Sequence, residues 1–280
     1  MRRTFAIAFA AALALGTASA RPLERQIIGA EHDHSAAAAG DCEHFYTTTF
    51  TSFVSQVHDQ EQRELDLSGV SQISVASAPE GGLSVRGWNR PGARLVICRY
   101  AVANTRDQAK RVLGSISISS HNGEIAAFGP PMDLTQAWWV NMILYVPKHA
   151  SLDVRAANGG VAIRNMSGRV TARATAGGIS VAQSTGKYRI STETGGITLD
   201  RVSGLVDANS RGGAIAFKVA GTDVPTLDAK TADGQIRCTL KNCDDDSFSA
   251  DGNHLRLGDG VPDVRLSSDA GLIWIGPVTY

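Results

Sequence analysis

Residues 151–204 read SLDVRAANGGVAIRNMSG, RVTARATAGGISVAQSTG and KYRISTETGGITLDRVSG when they are divided every eighteen residues. Each block has an apolar residue at its second position, a glycine pair near its middle, two alternating apolar residues after the pair, and a closing glycine. A fixed period of this length is typical of a repeat architecture, in which each unit packs against its neighbours. The three pairs are Gly159 with Gly160, Gly177 with Gly178, and Gly195 with Gly196.

The apolar residues of the blocks predict strands rather than helices. Val161 and Ile163 follow the first glycine pair, and Ile179 and Val181 follow the second. Alternation at a period of two indicates a half-buried strand, and β-branched side chains suit a pleated surface. Two glycines in the middle of a block would destabilise a helix by about 1 kcal/mol each. Each block therefore predicts two short strands joined at a structural glycine turn, where a positive φ is often needed and glycine tolerates it.

Blocks in the same phase can stack, because their equivalent residues point to the same side. Neighbouring coils would pair in parallel about 4.8 Å apart and bury together the apolar face that one coil cannot bury alone. We therefore predict an all-β protein built as a parallel β-solenoid with coils of about eighteen residues, and a β-sandwich is the alternative. The two predicted apolar ladders are Leu152, Val170, Tyr188 and Val206, and Val161, Ile179, Ile197 and Ile215.

The pattern continues in a looser form after these blocks. A fourth block keeps the phase over residues 205–217, and a fifth follows at 227–238 after a short insertion. Later copies are expected at 248–257 and 264–275.

The same logic also extends upstream of the regular blocks. Residues 73–88 contain two alternating apolar runs on either side of a glycine pair. One short helix is expected at 104–113, with Asn104 or Thr105 as its N-cap. We assign residues 63–280 to the β-solenoid domain.

The N-terminus has the three parts of a secretory signal peptide. Arg2 and Arg3 form a basic start, an apolar run covers 5–15, and the Ala-Ser-Ala at 18–20 matches a cleavage pattern of small residues. The run is shorter than the roughly 20 apolar residues of a spanning helix, so we predict no transmembrane span. We predict a signal peptide at 1–20 and an exported protein that is periplasmic, on the cell surface or secreted.

Residues 21–62 do not fit the repeat, and their alanine run at 36–39 is typical of a linker. We predict a partly disordered N-terminal extension. The segment also contains Glu31-His32-Asp33-His34, and imidazoles and carboxylates are good ligands for zinc or copper. Because the segment lacks a fixed ligand spacing, we expect a solvated linker and no metal.

The charge of the chain argues against two classes of partner. The 27 basic residues balance the 27 acidic ones, and removal of the signal peptide would take away two arginines and no acid, which leaves a net charge of −2. Proteins that bind nucleic acid normally carry a basic excess or stripe, and anionic lipid attracts basic segments. We therefore expect no nucleic-acid partner and no strong attraction to an anionic membrane.

Four cysteines allow three disulfide connectivities. An exported chain meets an oxidising compartment, in which disulfides persist. Cys238 and Cys243 are five residues apart across a predicted strand end and turn, so we expect a local bridge, which leaves Cys42 to pair with Cys98. Free buried thiols are the alternative. A zinc site is less favoured, because the spacing is not that of a zinc motif and no histidine lies near Cys238.

No catalytic or cofactor-binding motif occurs in the sequence, which has neither a nucleophile elbow nor a phosphate-binding loop. The outward residues of the blocks are mostly small or hydroxyl-bearing, with scattered charges such as Arg155, Arg173 and Glu193. No carboxylate pair recurs at the eighteen-residue spacing, so the acid–base pair of a glycoside hydrolase is not visible. The acidic run 244–246 lacks a calcium-loop pattern and predicts a solvated turn. We predict no catalytic, cofactor-binding or metal-ligating residues.

The run from Val146-Pro147 through Gly204 resembles the bacterial "putative adhesin" family, a domain of unknown function in exported and envelope proteins. The matching features are a hydrophobic strand that ends in Val-Pro, a series of strands with glycine pairs between them, and a helix near Thr105. The resemblance extends over residues 65–275 and implies an exported β-solenoid. It brings no catalytic residues, and the His-containing N-terminal segment and the Cys238/Cys243 pair depart from the family pattern.

These observations predict a non-enzymatic, exported interaction module of the cell envelope or extracellular space. Solenoids present long regular faces that suit extended partners, and we expect an envelope protein or a glycan. Two other classes stay open at this point. One is a glycan-active solenoid enzyme, and the other is an accessory protein of envelope-stress signalling.

Overall fold

The computed structural model describes residue 42 and residues 55–221, 224–249 and 251–278. In this part of the chain β-strands dominate and one short α-helix is present, which confirms the predicted all-β class with a single helix. A 3₁₀ turn covers Asp245–Ser247. The other elements are β1 (Ser55–Leu65), β2 (Ile73–Ala76), β3 (Leu83–Trp88), β4 (Ala93–Ala103), α1 (Arg106–Gly114), β5 (Ser117–His121), β6 (Glu124–Phe128), β7 (Gln136–Pro147), β8 (Leu152–Ala156), β9 (Val161–Arg164), β10 (Arg169–Ala174), β11 (Ile179–Thr192), β12 (Ile197–Ser210), β13 (Ile215–Val219), β14 (Leu227–Thr231), β15 (Ile236–Cys238), β16 (His254–Leu257), β17 (Val264–Ser268) and β18 (Ile273–Pro277).

Strands one repeat apart pair in parallel. β10 pairs with β8 and with the second half of β11, whereas β9 pairs with the first half of β11, and β12 continues both rows. The partner residues are eighteen apart, so that Val170 pairs with Leu152 and with Tyr188. All eight residues of the two predicted ladders are buried. We define a layer as two strands joined by a glycine corner. The first strand belongs to the row that contains Leu152, and the second strand follows it after the corner and belongs to the row that contains Val161.

The order of the layers departs from the order of the chain after β13. β17 and β18 lie between the layer of β12 and β13 and the layer of β14 and β15, so that Val264 pairs with both Val206 and Leu227. All three residues open the same two-strand pattern, although spacings of 21 and 37 residues separate them instead of multiples of eighteen, and an apolar residue at any of these positions packs equally well. The repeat therefore predicts the layers but not which of them are neighbours.

A similar exchange occurs at the other end of the stack. β2 and β3 lie between the layer of β6 and β7 and the layer of β8 and β9. Leu83, for example, pairs in parallel with Met142 on one side and with Val161 on the other. The regular blocks therefore continue into the upstream part of the chain, as the pattern at 73–88 predicts.

Antiparallel strands close both ends of the stack, which corrects the purely parallel arrangement predicted from the repeat. At one end β7 pairs with β4, β4 with β1, and β6 with β5. At the other end β14 pairs with β16. Residues 254–257, expected to belong to a further coil, therefore run antiparallel to β14. A physical reason is that the last parallel strand has unpaired backbone groups, which a returning strand covers.

β1 includes the last eight residues of the predicted N-terminal extension. Its sequence alternates between half-buried and exposed residues but is polar on both faces, so it lacks an apolar strand pattern. The strand is held to β4 by a two-pronged ion pair, in which Arg99 donates to Asp59 at 2.7 and 2.9 Å. A hydrogen bond from Arg63 holds the pKa of Glu61 below its usual range.

The helix α1 packs at the same end of the stack as β4 and begins as predicted. Thr105 is its N-cap, and the Thr105 hydroxyl accepts a hydrogen bond from the Gln108 amide at 3.2 Å. Ala109 and Val112 form its buried side. Within the described residues, no helix is both long enough and apolar enough to cross a membrane.

The first glycine of each pair lies against the backbone of the neighbouring layer. A Cβ atom at Gly177 would lie 1.9 Å from the carbonyl oxygen of Gly159, and one at Gly195 would lie 2.2 Å from that of Gly177. These distances leave no room for a side chain. The glycines with this close contact at the corner between the two strands of a layer are Gly81, Gly159, Gly177, Gly195, Gly213, Gly271 and Gly234. The closing glycines of the blocks approach the neighbouring backbone in the same way, since a Cβ atom at Gly168, Gly186 or Gly204 would lie 2.3 Å from a carbonyl oxygen.

The second glycine of each pair has more room. A Cβ atom at Gly178 would lie 3.4 Å from the Gly196 carbonyl oxygen, and the fourth block carries Ala214 at this position. None of the six glycines predicted as turns has a positive φ. At the first position the requirement for glycine therefore comes from close backbone approach, and not from the left-handed conformation expected from the sequence.

A row of buried hydroxyl groups ties the glycine corners of neighbouring layers together. Thr192 Oγ1 accepts a hydrogen bond from the Gly195 amide and donates one to the Gly177 carbonyl, both at 3.1 Å. Ser210 makes the equivalent pair of bonds, to Gly213 and Gly195. The residues in this position are Thr192, Ser210, Thr231 and Ser268, each three residues before a first glycine.

We expect Gly177→Ala to destabilise the fold far more than Gly178→Ala. The methyl group at 177 would overlap the Gly159 carbonyl, and backbone shifts in a packed interior typically cost about 1–3 kcal/mol or more. The methyl group at 178 would make an ordinary contact. The measurement is the free energy of unfolding in urea, followed by circular dichroism, for the two variants and the parent. Equal stabilities of the two variants would contradict the close-approach explanation.

Thr192→Val is predicted to lower the free energy of unfolding by about 1–3 kcal/mol, because it leaves the Gly195 amide and the Gly177 carbonyl without this partner. Thr198→Val is the shape-matched control, since Thr198 lies on the half-exposed face of β12 and its hydroxyl bonds to none of the described residues. Chemical denaturation of both variants checks this. Equal stability of the Thr192→Val and Thr198→Val proteins would contradict the claim that the buried hydroxyl groups stabilise the fold.

Candidate functional site

Two disulfides join the four cysteines in the structure. Cys42 is bonded to Cys98, with a Cα–Cα distance of 5.6 Å, and Cys238 to Cys243, with 6.0 Å. Cys42 is buried against the outer face of β4, where the Tyr100 hydroxyl donates a hydrogen bond to the Cys42 carbonyl oxygen at 3.1 Å. The first bridge therefore attaches the N-terminal part of the chain to the end of the stack.

The described residues contain no group of three or more histidine, cysteine, aspartate or glutamate side chains that could hold a metal ion. The segment Glu31-His32-Asp33-His34 lies outside these residues. In the acidic run 244–246, Asp244 accepts hydrogen bonds from the Ser247 amide and hydroxyl. Nearby, a hydrogen bond from Ser249 holds the pKa of Asp251 below its usual range. The carboxylates of Asp244 and Asp251 are therefore satisfied by local serines.

A groove runs across four neighbouring first strands, on β8, β10, β11 and β12. It has a volume of about 350 Å³. Parallel register places equivalent outward side chains side by side along it. We call it the ladder groove, and its central row consists of Arg155, Arg173, Ser191 and Asn209, each eighteen residues after the last.

A buried aspartate fixes the two arginines of the ladder groove. Asp153 has an 11% exposed side chain and lies within 3.1 Å of Arg173 Nη1, and its other oxygen pairs with Arg155. The arginine side chains are 64% and 51% exposed, respectively, for Arg155 and Arg173. Asp153 therefore holds each guanidinium group by an ion pair, while other N–H donors of the group stay open to solvent. This geometry suits hydrogen bonding to a bound polar molecule.

The other half of the ladder groove carries hydroxyl and amide groups. Asn209 Nδ2 donates to Ser267 Oγ at 2.9 Å, which extends the row onto β17. Arg211 lies at 4.0 Å from Glu193 and 3.9 Å from Asp269. All three of these charged side chains are more than half exposed, so their ion pairs are weak and can rearrange around a partner.

A second, shallower groove lies beside β15, at the end of the stack that β14 and β16 form. It has a volume of about 550 Å³ and is lined by residues 234–238, Phe248 and residues 251–253. Among the described strands β15 pairs only with β18. The Cys238–Cys243 bridge follows this strand directly and restrains the turn beside the groove.

Sequence reasoning identified part of the ladder groove and missed the rest. Arg155, Arg173 and Glu193 were recognised as outward charges, and the structure places all three along the groove. The role of Asp153 was not recognised, because it lies between two buried apolar residues of β8 and looks like an ordinary strand residue. The available signal was an acidic residue beside arginines that recur one repeat apart.

A model of the family described as Toastrack DUF4097 matches residues 106–254, which is more than half of the chain. Two solved structures are similar at low identity. A putative cell adhesion protein from Clostridium sporogenes has 9% identity and a TM-score of 0.39, with 79% of this chain and 100% of that chain covered. A putative adhesin from Bacteroides fragilis has 11% identity and a TM-score of 0.32, with 79% and 97% covered.

No curated protein matches the chain. The family match spans α1, β5 to β7 and the regular blocks as far as β15. It confirms the adhesin-like resemblance of the sequence, and the chain belongs to the Toastrack DUF4097 family.

Proposed function

We propose that the protein is an exported, non-enzymatic interaction module of the cell envelope or extracellular space. Its layers form a β-solenoid with coils of about eighteen residues, and its partner is an extended glycan or envelope protein that lies along the ladder groove. The observation that carries the proposal is the row of Arg155, Arg173, Ser191 and Asn209, with one polar side chain on each of four neighbouring strands.

The dimensions of the ladder groove support an extended partner. Parallel strands lie about 4.8 Å apart, so the four strands of the groove span roughly 14 Å. A chain that crosses the strands would meet one polar side chain in each layer. Because Asp153 anchors both arginines, less side-chain entropy is lost on binding than for free surface arginines.

The composition of the ladder groove favours binding over hydrolysis. Glu193 is the one carboxylate among its lining residues, and Arg211 lies beside it. Glycoside hydrolases generally need two carboxyl groups that flank the scissile bond. The lining therefore offers donors and acceptors for a sugar or peptide but lacks the usual pair for acid–base chemistry.

Export is supported by the cysteines and by the N-terminal sequence. Both disulfides fit an oxidising compartment such as the periplasm or the extracellular space. The basic start, the apolar run and the small-residue cleavage pattern of residues 1–20 belong to the part of the chain outside the described residues.

We expect the purified protein without residues 1–20 to bind one class of polymer on cell-wall and glycan arrays, or an envelope protein in a pull-down from a membrane fraction, without sugar release. Reducing-sugar and chromatographic assays on every bound polymer provide the test of turnover. Release of sugar from a bound polymer would contradict the non-enzymatic proposal. The absence of both glycan and envelope-protein binding would contradict the interaction module itself.

Arg173→Ala should weaken this binding by about tenfold or more, since a hydrogen bond to a charged group contributes about 1.5–3 kcal/mol. Arg155 stays in place to pair with Asp153, so the buried carboxylate is not left alone. Arg169→Ala is the matched control, because Arg169 is also exposed on β10 but does not line the groove. Affinities of the two variants and the parent are compared by biolayer interferometry. An equal loss in both variants, or none in either, would place the binding site elsewhere.

A further inference from the structure

A second surface of the protein combines three arginines with two aromatic rings. Arg86 and Trp88 lie on β3, Arg90 follows in the turn to β4, Arg94 lies on β4, and Tyr145 lies on β7. We call these five residues the arginine cluster. They belong to the second strands of the layers and to the antiparallel end of the stack, whereas the ladder groove lies on first strands.

The guanidinium groups of the cluster are arranged around the two rings. The Arg94 guanidinium carbon lies 4.4 Å from the centre of the Tyr145 ring and 5.4 Å from that of Trp88. Arg90 lies 5.5 Å from the Trp88 ring, and Arg86 lies 5.6 Å from the Tyr145 ring and donates to its hydroxyl at 3.1 Å. Cation–π contacts of this kind hold an arginine in place without neutralising its charge.

The strand register places a fourth arginine, Arg164, in a row with Arg94, Tyr145 and Arg86 of the cluster. Tyr145 pairs with Arg94 on one side and with Arg86 on the other, and Arg86 pairs in turn with Arg164 on β9. Like charges on directly paired residues destabilise a sheet. The paired arginines Arg86 and Arg164 therefore concentrate positive charge at a position where their mutual repulsion lowers the stability of the sheet.

The described carboxylates do not compensate this charge. None of them forms an ion pair with Arg86, Arg90, Arg94 or Arg164. Glu64 on β1 lies opposite Arg94 in the strand register, but its side chain is exposed and forms no ion pair with Arg94. In a chain with balanced formal charge, this is a local excess of positive charge.

The Arg94 side chain carries a further sign of an incomplete site. Its Nε atom is buried and has no hydrogen-bond partner among the described residues. Buried polar atoms are paired in the great majority of cases, and an unpaired one destabilises the fold. The unpaired Nε shows that local packing does not fully satisfy the Arg94 guanidinium, but the atom is shielded from solvent and is not itself a contact point for a bound molecule.

We propose that the arginine cluster binds the phosphate or sulfate group of an anionic glycan. Guanidinium forks hydrogen-bond such oxyanions in pairs, and the cluster offers Arg86 and Arg94 on strands and Arg90 in the turn between them. The half-buried Trp88 ring is contacted by Arg90 and Arg94 and helps to hold their guanidinium groups in place, and the choice of a glycan rests on the proposed function. The balanced charge of the whole chain favours a single anionic group over a nucleic acid or a lipid surface, which are attracted by extended basic regions.

The arginine cluster is a separate site from the ladder groove, so variants of each site can be tested independently. The probe is a size-defined heparin oligosaccharide, used as a sulfated glycan, and its affinity for the protein without residues 1–20 is measured by isothermal titration calorimetry. We expect Arg86→Gln/Arg94→Gln to weaken binding by at least about tenfold, because charge-assisted hydrogen bonds are lost. The charge-matched control Arg169→Gln/Arg265→Gln, on exposed positions of β10 and β17, should bind like the parent, as should Arg173→Ala.

Further arms identify what is bound and guard against unfolding. Inorganic sulfate and phosphate should compete with heparin, and the desulfated oligosaccharide should not bind. Arg86→Lys/Arg94→Lys keeps the charge but loses the guanidinium forks, so it should bind more weakly than the parent, and the thermal melts of all variants are compared. Equal losses in the cluster and control variants would overturn the proposal, as would no binding of heparin or sulfate, or tighter binding to duplex DNA or to phosphatidylglycerol vesicles.

Discussion

The stack depends on one constraint, the close approach of successive layers at the first glycine of each pair. Because a carbonyl oxygen occupies the space of the missing side chain, as between Gly159 and Gly177, any Cβ atom there would push the layers apart. The buried hydroxyls bond across the same corner and hold each layer to the last. The parallel register and the apolar ladders follow from this contact, since equivalent residues can lie side by side only if every layer turns its corner at the same point.

The same register creates the surfaces on which function is proposed. In the ladder groove it aligns Arg155 with Arg173, and the buried Asp153 fixes both. These arginines are visible in the sequence as outward charges one repeat apart. The arginine cluster is not visible, because Arg94 and Arg86 reach Tyr145 only through non-local pairing of β4, β7 and β3. The eighteen-residue period predicts which side chains line up within the regular blocks. It does not predict rows of side chains that come from distant segments of the chain.

The fold shows the same division between local and non-local information. The eighteen-residue period and the alternation of apolar residues predict the strands, the corners and the buried ladders. The helix follows from local rules as well, since Thr105 caps it and Ala109 and Val112 form its apolar side. The exchange of layers at both ends is not encoded in the period, because Val264 and Leu227 are equally suited to pack on Val206. β1 escapes recognition because its residues are mostly polar, so the strand shows no apolar alternation.

The most direct test of this account is a map of neighbouring layers by short-range cross-linking of paired cysteines. Asn209, Ser267 and Lys230 occupy equivalent positions on β12, β17 and β14, in that spatial order. Cysteines placed two at a time at these positions, and joined by a reagent that spans one strand spacing, should link 209 with 267 and 267 with 230. The pair at 209 and 230, which chain order would make neighbours, should not be linked. Efficient linkage of 209 with 230, and none of either with 267, would contradict the order of layers on which the surface rows depend.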